Sequence, residues 1–211
     1  MFGGLEELRR QMEEADPFSL AEAAGGTGCF LIVDVINGFL KEGALANPGA
    51  LSIVGPLGAA ARAAAGVGWE VVALRDEHQT DSPEFASYPP HCLAGNREAA
   101  LVDELADIPL TLDLPKNSTN GLMEPAFEAY LREHPKKVFV LTGVCTDICI
   151  LQLALSLKTW HEAKGRAIRV ILPKDMVDTF DLPGHSRELY TLMACALMRQ
   201  SGVEICGGIT D

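Results

Sequence analysis

Four short apolar runs of this chain end in side chains that do chemistry. One ends in Asp34. A second ends in Asp76, followed by Glu77 and His78. A third runs into Lys116, and a fourth into Val144-Cys145-Thr146-Asp147-Ile148-Cys149. A carboxylate, a carboxylate with a histidine, an amine and a thiol are the parts of a covalent acyl-transfer site. Cys149 is the natural nucleophile. Thr146 and Asp147 read as the N-terminal cap and first turn of the helix TDICILQLALSLKTW, where the helix dipole and orphan N–H groups favour a thiolate and can hold an oxyanion. Lys116 would sit beside the thiolate and Asp34, and Asp34 would move the proton from the thiol to the leaving amine. Plain structural readings stand beside these. Cys149 could be a small buried apolar residue, Lys116 a solvated lysine, and Asp34 the opening of an Asn37-Gly38 turn.

A second cluster is Asp76-Glu77-His78 followed by Glu84 and by Tyr88-Pro89-Pro90-His91-Cys92. Asp76 and His78 are two apart on an extended segment and can point to one side. His91 lies beyond a loop held by Pro83, Pro89 and Pro90. Asp, two His and a carboxylate are an N/O donor set suited to zinc, iron or manganese. The alternative is a polar surface loop, with Phe39 and Tyr88 as core aromatics.

These residues need elements to position them. Strand-like runs occur at 29–35, 70–76, 110–114, 137–143, 168–173 and 203–206. Several are continuously apolar, as strands buried on both faces of a parallel sheet are. Helical patterns lie near 4–15, 53–65, 97–106, 123–133, 147–164 and 185–201. The alternation predicts an α/β fold of three α/β/α layers around a six-stranded, mainly parallel sheet, with ligands bound at the carboxyl ends of the strands. A length of 211 residues suits a single domain spanning 1–211, with 1–28 as an N-terminal helical extension.

A net charge of −12 without a basic block argues against nucleic acid as a partner. No apolar stretch is long enough to span a membrane. The start, MFGGLEELRRQMEEADP, lacks a signal-peptide pattern. The six cysteines form no C-x-x-C pair and sit mostly in apolar runs, which reads as reduced thiols in the cytoplasm.

The segments LIVDVINGF, RDEH…PPHC, LPKNSTNG and LTGVCTDICI resemble the isochorismatase-like cysteine hydrolases, most closely their nicotinamidase branch. The resemblance runs from about Cys29 to Pro173, and the G-V-x-T-D-x-C string after an apolar strand is its most specific part. It implies the isochorismatase-like hydrolase fold and a catalytic triad of Asp34, Lys116 and Cys149. It also implies a cis peptide between Val144 and Cys145, which sets the N–H groups of Cys145 and Cys149 as an oxyanion hole. Asp76, His78 and His91 would hold one divalent metal, zinc first, with iron or manganese as alternatives and Glu84 as a fourth ligand. Phe39 and Tyr88 would sandwich a pyridine ring. The implied reaction is hydrolysis of nicotinamide to nicotinic acid and ammonia through a cysteine thioester, by a homo-oligomer. Ile36 stands where the family often has Gln, Gly38 where it often has Asp, and Tyr88 where Trp or Phe is common, and these departures bear on the choice of substrate. The rival readings are a family member acting on another amide, carbamoyl or vinyl-ether substrate, and a non-catalytic metal-binding scaffold.

Overall fold

The computed structural model describes residues 3–23 and 27–210. Residues 1–2 and 24–26 of the expected extension, and Asp211, lie outside them. In chain order the elements are α1 (Gly3–Glu13), β1 (Phe18–Ser19), β2 (Gly28–Val33), α2 (Asn37–Leu40), α3 (Val54–Gly66), β3 (Glu70–Asp76), β4 (Leu112–Lys116), α4 (Pro125–Glu133) and β5 (Val138–Val144). A π-helical turn, Thr146–Ile150, then leads into α5 (Leu151–Glu162), β6 (Arg169–Pro173), β7 (Val177–Asp178), α6 (Arg187–Gln200), β8 (Glu204–Cys206) and β9 (Ile209–Thr210).

The central sheet has the order β4-β3-β2-β5-β6-β8, with β7 pairing onto the end of β5. Every pairing in it is parallel. The six expected strands are therefore present, and the two-residue β7 makes a seventh. β1 and β9 form a separate two-stranded pair. All residues of β2 and β5 are buried, as their apolar runs require of strands covered on both faces.

Side-chain alternation divides the core in two. Cys29, Leu31 and Val33 of β2 face a layer holding Phe127 of α4, Leu153 and Leu157 of α5, Leu192 and Met198 of α6, and Leu8 and Met12 of α1. Phe30 and Ile32 face the other layer, with Leu57, Ala61 and Ala64 of α3. The three layers follow from that period of two.

β2 lies between β3 and β5, so the chain runs outward in opposite directions on its two sides. A crevice opens at the carboxyl ends of β2 and β5 for that reason. The two strands approach closely there. Gly143 has φ +116°, and a Cβ on it would lie 1.9 Å from the Val33 carbonyl oxygen. Only glycine fits that conformation and that space.

One helical expectation fails. Residues 97–106 form two 3₁₀ turns, Arg97–Ala99 and Asp103–Leu105, instead of a helix. The buried Asn37 side chain donates to the carbonyls of Arg97 and Ala100 at 3.1 and 3.2 Å. The Asn37 N–H donates to Ala100 at 2.9 Å, and the Val102 N–H to Val35 at 3.1 Å. The backbone groups a helix ladder needs are taken by the neighbouring chain. The third strand is displaced two residues toward Lys116, which becomes its last residue. Among the described residues, no helix is long and apolar enough to cross a membrane.

Candidate active site

The four strand ends meet. Asp34 follows β2 with φ 56°, a left-handed conformation uncommon for a residue other than glycine. Its Oδ1 accepts the Asp76 N–H at 2.8 Å, and its Oδ2 lies 2.8 Å from Lys116 Nζ. Asp34 is thus committed to the crevice and does not cap the segment after it; Asn37–Leu40 is a short helix. Lys116 is fully buried and close to three groups. It pairs with Asp34, donates to Asp76 Oδ1 and lies 3.9 Å from Cys149 Sγ. It also donates to the Ser118 carbonyl at 3.1 Å. A buried ammonium between two buried carboxylates is far from the solvated lysine of the plain reading.

Burial pushes the Asp34 carboxyl up to about 7, with the Asp76 charge adding to the rise and Lys116 opposing it. Burial also raises the Lys116 and Cys149 environments' cost of charge, with opposite results. For Lys116 the carboxylates of Asp34 and Asp76 outweigh burial and hold the ammonium well above its usual range. For Cys149 burial dominates, Lys116 pulls the other way, and the thiol lies well above its ordinary value. That direction is opposite to the one a helix start favours.

The Val144–Cys145 peptide is cis, as the resemblance implies. The backbone after it differs from the expected helix start. The turn that follows is π-helical, its N-cap position is Cys145, and no side chain caps it. The Thr146 hydroxyl, expected as the cap, is buried without a hydrogen-bond partner. Asp147 instead binds outward, accepting the Thr179 hydroxyl at 2.6 Å and facing His185 Nε2 at 2.8 Å.

Beyond Lys116 lies the second cluster. Asp76 Oδ2 stands 3.7 Å from both His78 Nε2 and His91 Nε2, and Glu84 Oε1 stands 3.9 Å from each. One ligand atom from each of the four lies within 4.8 Å of every other. The ligand–ligand edge of a tetrahedral zinc site with 2.0–2.1 Å bonds is about 3.3 Å, so a modest contraction would close the set on one ion. The tautomers also suit a metal. Nδ1 of His91 faces the Pro89 carbonyl at 2.8 Å, and Nδ1 of His78 faces Asn117 Oδ1 at 2.9 Å. Both oxygens only accept, so the ring hydrogens sit on Nδ1 and the Nε2 lone pairs face the cluster. His78 Nε2 is a buried nitrogen with no hydrogen-bond partner, a condition a cation relieves. Glu84 is placed by a 3₁₀ turn, Pro83–Ala86, whose Ser82 cap accepts from the Glu84 N–H.

Both clusters open into one cavity of about 350 Å³, whose lining includes Cys149 and Cys145 on one side and Asp76, Glu84 and His91 on another. Phe39 and Tyr88 also line it, and each packs on the His91 ring, at centroid distances of 5.6 and 6.3 Å. Sequence reasoning missed three contributors. Phe85 packs on both histidines, at 5.5 and 5.6 Å. The loop at 44–50 and the segment Phe180–Leu182 close the outer wall. The pattern S-P-E-F in front of a His-bearing loop was a signal for the first; the other two come from loops without chemistry-bearing spacing.

Residues 28–206 match the isochorismatase domain model. The chain is 32% identical over 203 residues to Nicotinamidase 1 of Arabidopsis thaliana, covering 85% of this chain and 81% of that protein. Its fold superposes on the pyrazinamidase/nicotinamidase of Streptococcus mutans with a TM-score of 0.72 at 21% identity, covering 84% of this chain and 99% of that one. It also superposes on the pyrazinamidase of Pyrococcus horikoshii, solved in complex with zinc, with a TM-score of 0.69 at 22% identity and coverage of 85% and 98%. A match across most of the chain, together with a thiol, a carboxylate and an ammonium gathered at the sheet's switch point, makes this chain a member of the isochorismatase family, among its nicotinamidase-like amidohydrolases.

Proposed function

We propose that the protein is a metal-dependent nicotinamidase, hydrolysing nicotinamide to nicotinic acid and ammonia. The observation that carries this reading is that the thiol of Cys149 and the Asp76–His78–Glu84–His91 cluster border the same cavity, joined through Lys116, which contacts Asp34, Asp76 and Cys149. A substrate with a carboxamide at one end and a ring nitrogen at the other fits such a pair of sites.

In this mechanism Asp34, with its carboxyl near 7, is suited to both accept and return a proton at neutral pH. It takes the Cys149 proton as the sulfur attacks the amide carbon. The oxyanion rests on the N–H groups of Cys145 and Cys149. Asp34 then protonates the leaving nitrogen, the C–N bond breaks, and ammonia departs from the thioester. Asp34 next removes a proton from water as its oxygen attacks the thioester carbon, and it returns that proton to the sulfur as the carbon–sulfur bond breaks, giving the acid and the Cys149 thiol. Lys116 keeps its charge throughout and offsets the negative charge that passes between sulfur and carboxylate. A divalent ion, zinc by preference over iron or manganese, would be held by Asp76, His78, His91 and Glu84 and would supply a Lewis acid for the ring nitrogen. Phe39 and Tyr88 would hold the flat ring. We assign the protein to the cytoplasm, where its six unpaired cysteines suit a reducing compartment, and propose that it acts as a single domain within a homo-oligomer.

Two results check the assignment. His91→Ala should lose most of its bound metal by elemental analysis, and Glu84→Gln should lose less, because water can take a carboxylate's place. A full equivalent of metal in His91→Ala would contradict the ligand set. Nicotinamide and pyrazinamide should both turn over, whereas benzamide, lacking the ring nitrogen, should have kcat/KM lower by about 10³-fold through lost orientation and an unpaired polar partner. Equal kcat/KM for benzamide and nicotinamide would reduce the reading to a general amidase of the family.

A further inference from the structure

The outer wall of the cavity is a strap, residues 178–187, that the proposed chemistry does not use. Its Phe180, Asp181 and Leu182 line the cavity. Leu182 and His185 close its tip by exchanging backbone hydrogen bonds of 3.1 and 2.8 Å. At its base Thr179 donates its hydroxyl to Asp147 Oδ1 at 2.6 Å. Its carbonyl accepts from Asn47 Nδ2 and from Arg187 Nε, both at 3.1 Å, so the strap is also tied to the 44–50 wall.

His185 is the remaining tie, and it has an unusual set of partners. Nδ1 faces the Phe180 carbonyl at 3.1 Å, and Nε2 faces Asp147 Oδ2 at 2.8 Å. A carbonyl and a carboxylate both accept and do not donate, so a neutral imidazole, with one N–H, satisfies only one of them. The ring is clamped between Phe180 and Tyr190 at centroid distances of 3.8 and 3.7 Å, which prevents it from turning toward other partners. The titratable groups packed on it are Asp147 from the π-helical turn and Tyr190 from α6. Along its own segment lie Asp178, Asp181 and Arg187, with the Arg187 side chain drawn 3.3 Å from Asp178 and the Arg187 N–H donating to Asp181. Asp147 sits two residues from both Cys145 and Cys149, so this bond joins the strap to the turn that carries the thiol.

We infer that His185 is a positioning residue that latches the 178–187 strap over the cavity, with both latch bonds made only when its imidazole carries two ring hydrogens. With both ring hydrogens the strap is pinned at both the Phe180 carbonyl and Asp147. With one ring hydrogen a single bond remains, and the wall formed by Phe180 and Leu182 loosens. Asp34, Lys116 and Cys149 keep their own mutual contacts, so the effect falls on substrate binding rather than on the chemical step. The kinetic part of this inference rests on the nicotinamidase reading; the structural part does not.

The test follows KM and kcat for nicotinamide across about pH 5 to 8, the range in which histidine ordinarily titrates, alongside hydrogen–deuterium exchange of the strap in the substrate-free enzyme. The wild type should show KM rising with pH. His185→Gln should show a KM about tenfold higher at the acid end, from the loss of one charge-assisted hydrogen bond, no rise with pH, and little change in kcat. Exchange at the Leu182 and His185 amides, corrected for the chemical rate, should quicken with pH in the wild type and be fast throughout in His185→Gln. A wild-type KM profile in His185→Gln, or strap protection that does not change with pH, would overturn the latch. Falling protection in an enzyme that does not hydrolyse nicotinamide would remove the substrate assignment and leave the latch standing.

Discussion

Cys149→Ala should lower kcat/KM by about 10⁴-fold or more, since removing a nucleophile leaves only binding and oxyanion stabilisation. The fold should barely notice. The side chain is 5% exposed, and one sulfur atom is a smaller deletion than the methyl and methylene losses that cost about 1 kcal/mol in cores. Lys116 and Asp34 remain paired without it, so no charge is stranded. The variant therefore separates chemistry from stability: ammonia release should vanish while the melting temperature stays close to that of the wild type. Cys145 also lines the cavity, so peptide mapping after treatment with a small alkylating agent must distinguish the two thiols. Substantial turnover in Cys149→Ala, with the label on Cys145, would transfer the nucleophile's role to that neighbour.

Lys116→Met has the largest expected effect on stability. Lys116 is 1% exposed and holds apart the carboxylates of Asp34 and Asp76, themselves 0% and 1% exposed. Removing one partner from a buried charge group costs about 3–5 kcal/mol, most of it the burden of the charges left behind. At roughly 2–4 °C per kcal/mol for a domain of this size, the melting temperature should fall by about 10 °C. Activity should be lost as well, since the charge passing between sulfur and carboxylate would have no counterion. A second substitution distinguishes the two losses. Lys116→Met with Asp34→Asn removes one of the stranded charges and should recover part of the stability, as coupled neighbours do in a double-mutant cycle. It should recover none of the activity. A single Lys116→Met variant as stable as the wild type would mean that the three-charge cluster contributes nothing to the fold.

Much of the architecture was legible because it follows from periodicity. The runs CFLIV and KVFVLTG are apolar without alternation, and both became the central buried strands, β2 and β5. The residues after the strands were legible too, because a parallel sheet delivers its strand ends to one edge and Asp34, Asp76, Lys116 and Cys145 all lie there. What failed was decided by tertiary contact. The 97–106 segment has a helical pattern, yet Asn37, some 60 residues upstream in sequence, takes its carbonyls. Helix-start physics at Cys149 is local, whereas the burial that raises its thiol above the ordinary value comes from the walls packed around it. No pattern marks the strap at 178–187, because its ties to Asp147 and Asn47 connect residues far apart in the chain. Nor does spacing show that Lys116 serves two carboxylates at once, which depends on β3 and β4 being neighbours in register, with Asp76 opposite Lys116.

The glycine at position 143 has a wider consequence. With its φ of +116° and a Cβ position 1.9 Å from the Val33 carbonyl, the strand leading to the thiol and the strand leading to Asp34 meet with zero clearance. No side chain serves as a shim between them. The separation of the Asp34 carboxyl and the Cys149 thiol is thus set by main chain against main chain, like two machined faces bolted together. The cavity walls at 44–50, Tyr88 and 180–182 hang from loops outside that joint. They can be recut for a different amide while the reacting groups keep their spacing, and this division between a fixed bearing and interchangeable tooling is how one arrangement of thiol, acid and amine can serve substrates of different outline.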